Sequence, residues 1–177
     1  DCKKALEQVG EDLEEAKKWL QKKGILKATD IQSRVATEGT ITSYIHTNDK
    51  IGVLLEVNCE TDFVARNDQY REFCRDVAMH IAGHFPPPKY VEASDIEEGA
   101  WHAQFSFFQA KAGEDPKNAK KPPEILEKML KGQTDKWVKE QCLLDQKFVK
   151  DPTKDVRTLM LELSGIIKEK ISIKRFV

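Results

Sequence analysis

With 177 residues, 33% of them charged and 40% hydrophobic, the chain is long enough for one ordinary core with a small appendage, and its composition excludes a disordered segment. Twenty-nine Lys and Arg against 30 Asp and Glu leave a formal net charge of −1, which disfavours nucleic acid as a partner. No apolar run approaches the ~20 residues of a membrane span, the opening Asp-Cys-Lys-Lys is neither a signal nor a transit peptide, and four widely spaced cysteines without a Cys-x-x-Cys pair point to a reducing compartment.

The first segment, Cys2 to Gly24, reads as helix, turn, helix, broken at Gln8-Val9-Gly10. Asp12 is a candidate N-cap with Glu15 three residues on, Lys22 and Lys23 suit a helix C-terminus, and Gly24 reads as the stop. Leu13, Ala16 and Leu20 fall on one face with Trp19 beside it. Two short helices bury little area, so a third helix before Asp1 or a covering partner is expected. Ile25 to Glu38 reads as a mixed polar linker.

Gly39 opens a two-strand unit in which Ile41, Ser43 and Ile45 share a face, Asn48-Asp49 supply the turn, and Ile51 to Val57 return. Leu54-Leu55-Glu56-Val57 reads as a buried strand. Thr61-Asp62-Phe63-Val64 then follows a polar corner with no Gly or Pro, before Asn67 or Asp68 can cap the next helix. On composition Phe63 and Val64 would be core residues and Asp62 a solvated turn acid, yet an acid beside a large aromatic at such a corner also suits a probing side chain.

The helix that follows carries Tyr70, Phe73, Val77 and Ile81 at helical spacing, widened by Cys74 and Ala78 into a broad stripe against the sheet. Cys59 and Cys74 stand 15 apart, close enough in sequence for a disulfide to be conceivable, although isolated thiols more often serve as small buried hydrophobes. His80 and His84 fall four apart with no zincin acid and no third ligand, so no metal is expected there.

Beyond the stiff Pro86-Pro87-Pro88 turn, a helix from about Asp95 to Ala112 aligns Trp101, Phe105, Phe108 and Ala112, a stripe that suits a core or an interface. Few basic residues interleave with it, so it is no stacking platform for bases. Gly113 to Pro123, with Lys117, Lys120 and Lys121, reads as a solvated linker. From Glu124 a further helix carries Ile125, Met129 and Leu130, reaches Gly132 and resumes through Trp137 and Val138. Gln146 to Pro152 is a loop that exposes Phe148 and Val149, which could equally tuck inward. The last helix, Val156 to about Glu169, is expected to bury Leu159, Leu163 and Ile166 or Ile167 before a closing strand through Ile171 and Ile173. There is no internal repeat, no Gly-x-x-x-x-Gly-Lys loop, no nucleophile elbow and no acid–base pair, so neither covalent chemistry nor a cofactor is expected.

Asn58-Cys59-Glu60-Thr61-Asp62-Phe63-Val64-Ala65-Arg66-Asn67 resembles the signature of the elongation factor Ts family, the guanine-nucleotide exchange factors of the translational GTPase EF-Tu. Asp1-Cys2-Lys3-Lys4-Ala5-Leu6, Ala78-Met79-His80-Ile81-Ala82 and Ile171-Ser172-Ile173-Lys174-Arg175-Phe176 extend the resemblance in the family's order. It implies an α+β fold: a truncated helical module like a ubiquitin-associated domain over residues 1–27, a linker over 28–38, and over 39–177 a core of antiparallel sheet packed with helices that binds EF-Tu and dimerises. It also implies EF-Tu as partner, pairing of two copies as in the short single-core form, no direct nucleic-acid or membrane partner, and a bacterial cytoplasm or an organelle matrix. The contact residues it implies are Thr61, Asp62, Phe63 and Val64, with His80, Lys3, Phe148 and Val149 as further candidates, Phe148 and Val149 lying in a loop similar to the one that touches the second barrel domain of EF-Tu.

The implied mechanism inserts Phe63 into the GTPase while Asp62 disturbs its Mg²⁺ site. A non-exchanging docking module and, more weakly, a translation-linked RNA binder are the other readings. Three departures stand out: the helix that precedes the family's N-terminal module, Ala28 to Ser33 where many members carry paired lysines, and Lys168-Glu169-Lys170 where members usually show Gly-Glu-Asn. At that last corner a different backbone is expected.

Overall fold

The hairpin foreseen from Gly39 is the start of a three-stranded antiparallel sheet, and the fold is α+β. The computed structural model describes residues 2–177 apart from 11, 48, 115–117, 119 and 120. It contains two compact units, one formed by Asp1–Gly83 with Lys147–Val177, the other by the inserted segment His84–Gln146. In chain order the first unit begins with α1 (Cys2–Val9), α2 (Leu13–Ile31), β1 (Glu38–Ile45), β2 (Gly52–Cys59), the single turn α3 (Asp62–Ala65) and α4 (Asp68–Gly83). The inserted segment holds α5 (Glu98–Glu114) and α6 (Pro123–Gln141), after which β3 (Lys147–Phe148), β4 (Asp151–Asp155), α7 (Val156–Ile167) and β5 (Ile171–Phe176) complete the first unit.

Strand β2 is central, paired with β1 from Glu38↔Cys59 to Ile45↔Gly52 and with β5 from Leu55↔Phe176 to Cys59↔Ile171, across a bulge between Glu56 and Val57. Alternation sends Val53, Leu55, Val57 and Cys59 inward to meet the Tyr70, Phe73, Cys74, Val77, Ala78 and Ile81 stripe of α4, all buried as the spacing predicted. The Tyr70 hydroxyl donates to the Val57 carbonyl, so the largest polar tip in this core is satisfied. Ile41 and Ile45 do share a face, but it is the outward one, with Leu54 of β2 beside them and also exposed. In the turn Asp49 adopts a left-handed φ of 54°, while Asn48 lies outside the described residues.

Asp12 caps α2 by accepting from the N–H groups of Glu14 and Glu15 at 2.8 and 3.1 Å. The helix does not stop at Gly24. It continues to Ile31, burying Ala28 and Ile31, so the expected linker begins as helix. Packing accompanies this continuation: a Cβ placed on Gly165 of α7 would lie 3.0 Å from the Gly24 carbonyl oxygen, so Gly165 lets α7 approach the backbone of α2 at Gly24. Ala16 is buried as expected, whereas Leu13, at the first helical position, is 68% exposed.

Helix α7 is capped by Asp155, which accepts from the Thr158 N–H at 2.8 Å, and buries Val156, Met160, Leu163 and Ser164. Of the alternatives Ile166 and Ile167, Ile166 points to solvent and Ile167 is half-buried, as is Leu159. The helix ends at Lys168, whose φ of 65° and ψ of 22° place a lysine in the left-handed region that favours glycine. Lys168→Gly is therefore expected to raise stability by about 1 kcal/mol, read as a higher midpoint in urea unfolding. A lower midpoint would show that the Lys168 side chain contributes more than its backbone costs.

In the inserted unit α5 starts at Glu98, three residues later than the spacing suggested, because Ala93–Asp95 forms a separate 3₁₀ turn. Helices α5 and α6 pack against each other, and within α5 Trp101 stacks on Phe105 one turn on at a centroid distance of 5.2 Å. Helix α6 passes through Gly132 without a break. Tyr90 forms a parallel bridge with Cys142, and the N–H groups of Leu143 and Leu144 donate to the Tyr90 and Val91 carbonyls at 2.9 and 3.0 Å. Of the presumed solvated linker, Asn118 is buried and donates to the Ala112 carbonyl at 3.0 Å, whereas Lys117 and Lys120 lie outside the described residues. Among the described residues no helix is long and apolar enough to cross a membrane, and no three His, Cys, Asp or Glu side chains cluster to hold a metal ion.

Candidate functional site

The corner between β2 and α4 is built from the last core residue of the strand outward. Cys59 is buried with its thiol donating to the Thr61 carbonyl at 3.1 Å, and burial pushes both the Cys59 and Cys74 thiols up. Both cysteines are free, so the conceivable disulfide is not formed. Thr61 is extended (φ −130°, ψ 154°) and caps α3 by accepting from the Val64 N–H at 3.4 Å. One helical turn then separates the next three side chains by face. Phe63 is turned to solvent, 79% exposed, while Val64 (7%) and Ala65 (8%) are turned into the core against β1 and β2.

Asp62 is half-exposed and pairs with Arg66 at 2.9 Å one turn on, a surface ion pair that contributes little to stability. Asn67 ends the turn and starts α4, accepting from the Gln69 and Tyr70 N–H groups at 2.8 and 3.4 Å. The cap anticipated at Asn67 or Asp68 is thus Asn67. Arg71 reaches back to the Ala65 carbonyl at 3.3 Å and ties α4 to α3.

A second corner lies against this one. Between α7 and β5, Glu169 accepts from the Thr61 N–H at 3.1 Å and from the Thr61 hydroxyl at 2.9 and 3.1 Å to its two oxygens. Reciprocally, Glu60 accepts from the Lys170 N–H at 2.6 Å. Arg34 stands 3.4 Å from Glu60, and Lys170 donates its ammonium to the Arg34 carbonyl at 2.7 Å. Neither Glu60 nor Arg34 was named as a candidate from sequence, and Glu169 appeared only within the Lys168-Glu169-Lys170 corner; the signature around Glu60 and that corner were the available signals.

The remaining candidates separate. His80 is fully buried on α4, its Nδ1 accepting the Val149 N–H at 3.2 Å and its ring 5.9 Å from that of Phe148. It orients the chain at Val149 from beneath, as a buried side chain. Of the two readings left open for Phe148, exposed or tucked inward, the structure takes the second: it is 4% exposed, because the expected loop is a β3–β4 ribbon that folds it inward. Val149 at the ribbon tip stays 50% exposed, with Lys150 beside it paired to Asp76 at 2.6 Å. Lys3 is exposed on α1, which packs on α2, and it belongs to neither group. The exposed surface offered by the candidates therefore reduces to Asp62, Phe63, Val149 and Lys3, with Thr61, Val64, His80 and Phe148 supporting from within.

Comparison with known proteins agrees over nearly the full length. A family model described as elongation factor TS matches residues 5–177. Elongation factor Ts of Geotalea daltonii is 47% identical over 176 residues, covering 99% of this chain and 79% of that protein. The Geobacter sulfurreducens protein of the same name is 46% identical with the same coverage, and that of Desulfitobacterium hafniense is 43% identical over 99% of this chain and 78% of its own length.

Proposed function

This chain belongs to the elongation factor Ts family, and on that premise we propose that it is a guanine-nucleotide exchange factor that promotes GDP release from EF-Tu during translation elongation. The observation that carries the reading is Phe63, a large aromatic 79% exposed on a helical turn whose two ends are tied to the body of the protein. Phe63 inserts between side chains of the GTPase while Asp62 acts on groups beside its Mg²⁺ site. That cation tolerates little departure from octahedral geometry, so a small displacement loosens the metal bridge to the nucleotide. By linkage, whatever factor this chain takes from GDP affinity, GDP takes from the affinity of this chain, and GTP completes the cycle. Exchange breaks no covalent bond and calls on no cofactor of the factor itself. EF-Tu is the partner, through Asp62, Phe63, Val149 and Lys3, and the compartment is the one in which EF-Tu works, the cytoplasm for a bacterial chain.

The test is release of a fluorescent GDP analogue from EF-Tu with this chain added at substoichiometric amounts. Multiple turnovers of release support exchange, whereas stable binding without acceleration would leave a docking module. Pairing of two copies is part of the same reading, supported by the exposed apolar residues on the outer face of the sheet, Ile45 and, around a shallow hollow of about 250 Å³, Ile41, Leu54 and Val177. Sedimentation equilibrium is expected to show a dimer that Ile41→Glu converts to a monomer. A monomer in both would discard the pairing.

A further inference from the structure

We propose that Glu169 is a positioning residue for exchange, setting the Phe63 turn through Thr61, an inference that rests on the reading of Phe63 as the probe. A four-residue helix has no stability of its own, since nucleating a turn costs more than its one or two hydrogen bonds return. An inserted side chain displaces a partner's groups only if its own support does not give way first. The support must therefore come from outside α3, and at its N-terminal end it comes from Glu169.

The carboxylate takes both polar hydrogens of Thr61, the N–H and the hydroxyl proton, in charge-assisted hydrogen bonds. A hydroxyl has one proton, and committing it to Glu169 fixes the rotor, which turns an oxygen lone pair toward the Val64 N–H at 3.4 Å. The cap of α3, and with it the direction in which Phe63 leaves the turn, is set by an acid 108 residues away. Glu169 is itself held. Its carbonyl accepts from the buried Ser164 hydroxyl at 2.6 Å, and it lies between Lys168, in the left-handed conformation, and Lys170, whose N–H is gripped by Glu60. The two acids cross, each fixing the backbone of the segment that carries the other.

The experiment is a double-mutant cycle between Glu169→Ala and Phe63→Ala, scored by exchange turnover at saturating EF-Tu·GDP, the KM for EF-Tu·GDP, and thermal unfolding of the factor alone. Glu169→Ala is expected to lower turnover roughly 10- to 100-fold with KM changed far less, as a misplaced but still docked probe would. In the Phe63→Ala background the same substitution should change turnover by less than about twofold, because there is no probe left to position. Glu169→Gln keeps an oxygen acceptor for Thr61 and is expected to recover most of the loss. Thr61→Val, which deletes the hydroxyl with both its link to Glu169 and its cap of the Val64 N–H while leaving the Thr61 N–H to Glu169, carries the same test should Glu169→Ala fail to fold. An equal loss in both backgrounds would make Glu169 a general clamp of the sheet and overturn the inference. So would a defective Phe63→Ala variant alongside a fully active Glu169→Ala. Undiminished turnover in Phe63→Ala would overturn the reading of Phe63 as probe, and this inference with it.

Discussion

Phe63→Ala is expected to lower the rate of EF-Tu-bound GDP release at least about 30-fold while leaving the stability of the factor within about 0.5 kcal/mol of the parent. The asymmetry follows from exposure. At 79% exposed the ring contributes little burial to the folded state, and substitutions at such positions rarely move stability further than that. An aromatic anchor inserted into a partner typically accounts for 2 kcal/mol or more, and 2 kcal/mol corresponds to about 30-fold. Paired measurements of fluorescent GDP release and urea unfolding check both halves. Normal release with a large fall in stability would make Phe63 part of the core.

The largest effect on stability is expected at Gly39. Its φ is 157°, and a Cβ built there would stand 2.2 Å from the Val57 carbonyl oxygen and 2.9 Å from the Asn58 Cα. Both atoms belong to β2, the central strand, which cannot withdraw: β5 holds it on the far side, and the Val57 carbonyl already accepts from the Tyr70 hydroxyl beneath. Gly39→Ala is therefore expected to cost about 3 kcal/mol or more, the range of overpacking against atoms that cannot repack. Urea unfolding measures it directly. A loss under 1 kcal/mol would mean that the start of β1 peels from the sheet to make room.

The sequence made some of this legible and hid the rest for reasons particular residues illustrate. Tyr70, Phe73, Val77 and Ile81 could be read because one helix face repeats on a local period, and Asn67 because a cap acts within three residues. Gly24 misled because glycine commonly ends helices, whereas here the helix runs on through it, packed closely against Gly165 of α7. The β3–β4 ribbon escaped because its two-residue first strand and Pro152 offer no alternation to detect, which left Phe148 open between an exposed and a buried reading. In the candidate site Phe63 was visible as an aromatic at a corner, yet its fixture was not. No local pattern announces that Glu169 will meet Thr61 across 108 residues, nor that His80 will serve Val149 from below. The Lys168 corner kept a sharp reversal without glycine, since a single left-handed lysine costs only about 1–2 kcal/mol.

The inserted segment between Gly83 and Lys147 also sets an order of events during synthesis. Strands β1 and β2 and the turn bearing Phe63 are made early, but the third strand and Glu169 follow the whole of that segment. At about 5–20 residues per second, the 108 residues from Thr61 to Glu169 take roughly 5–20 s to be added. For that interval the nascent chain carries an unbraced aromatic beside an open strand edge. On the proposed role of Glu169, competence to act on EF-Tu arrives only as β5 is added, so an interrupted chain would display the signature without the means to use it.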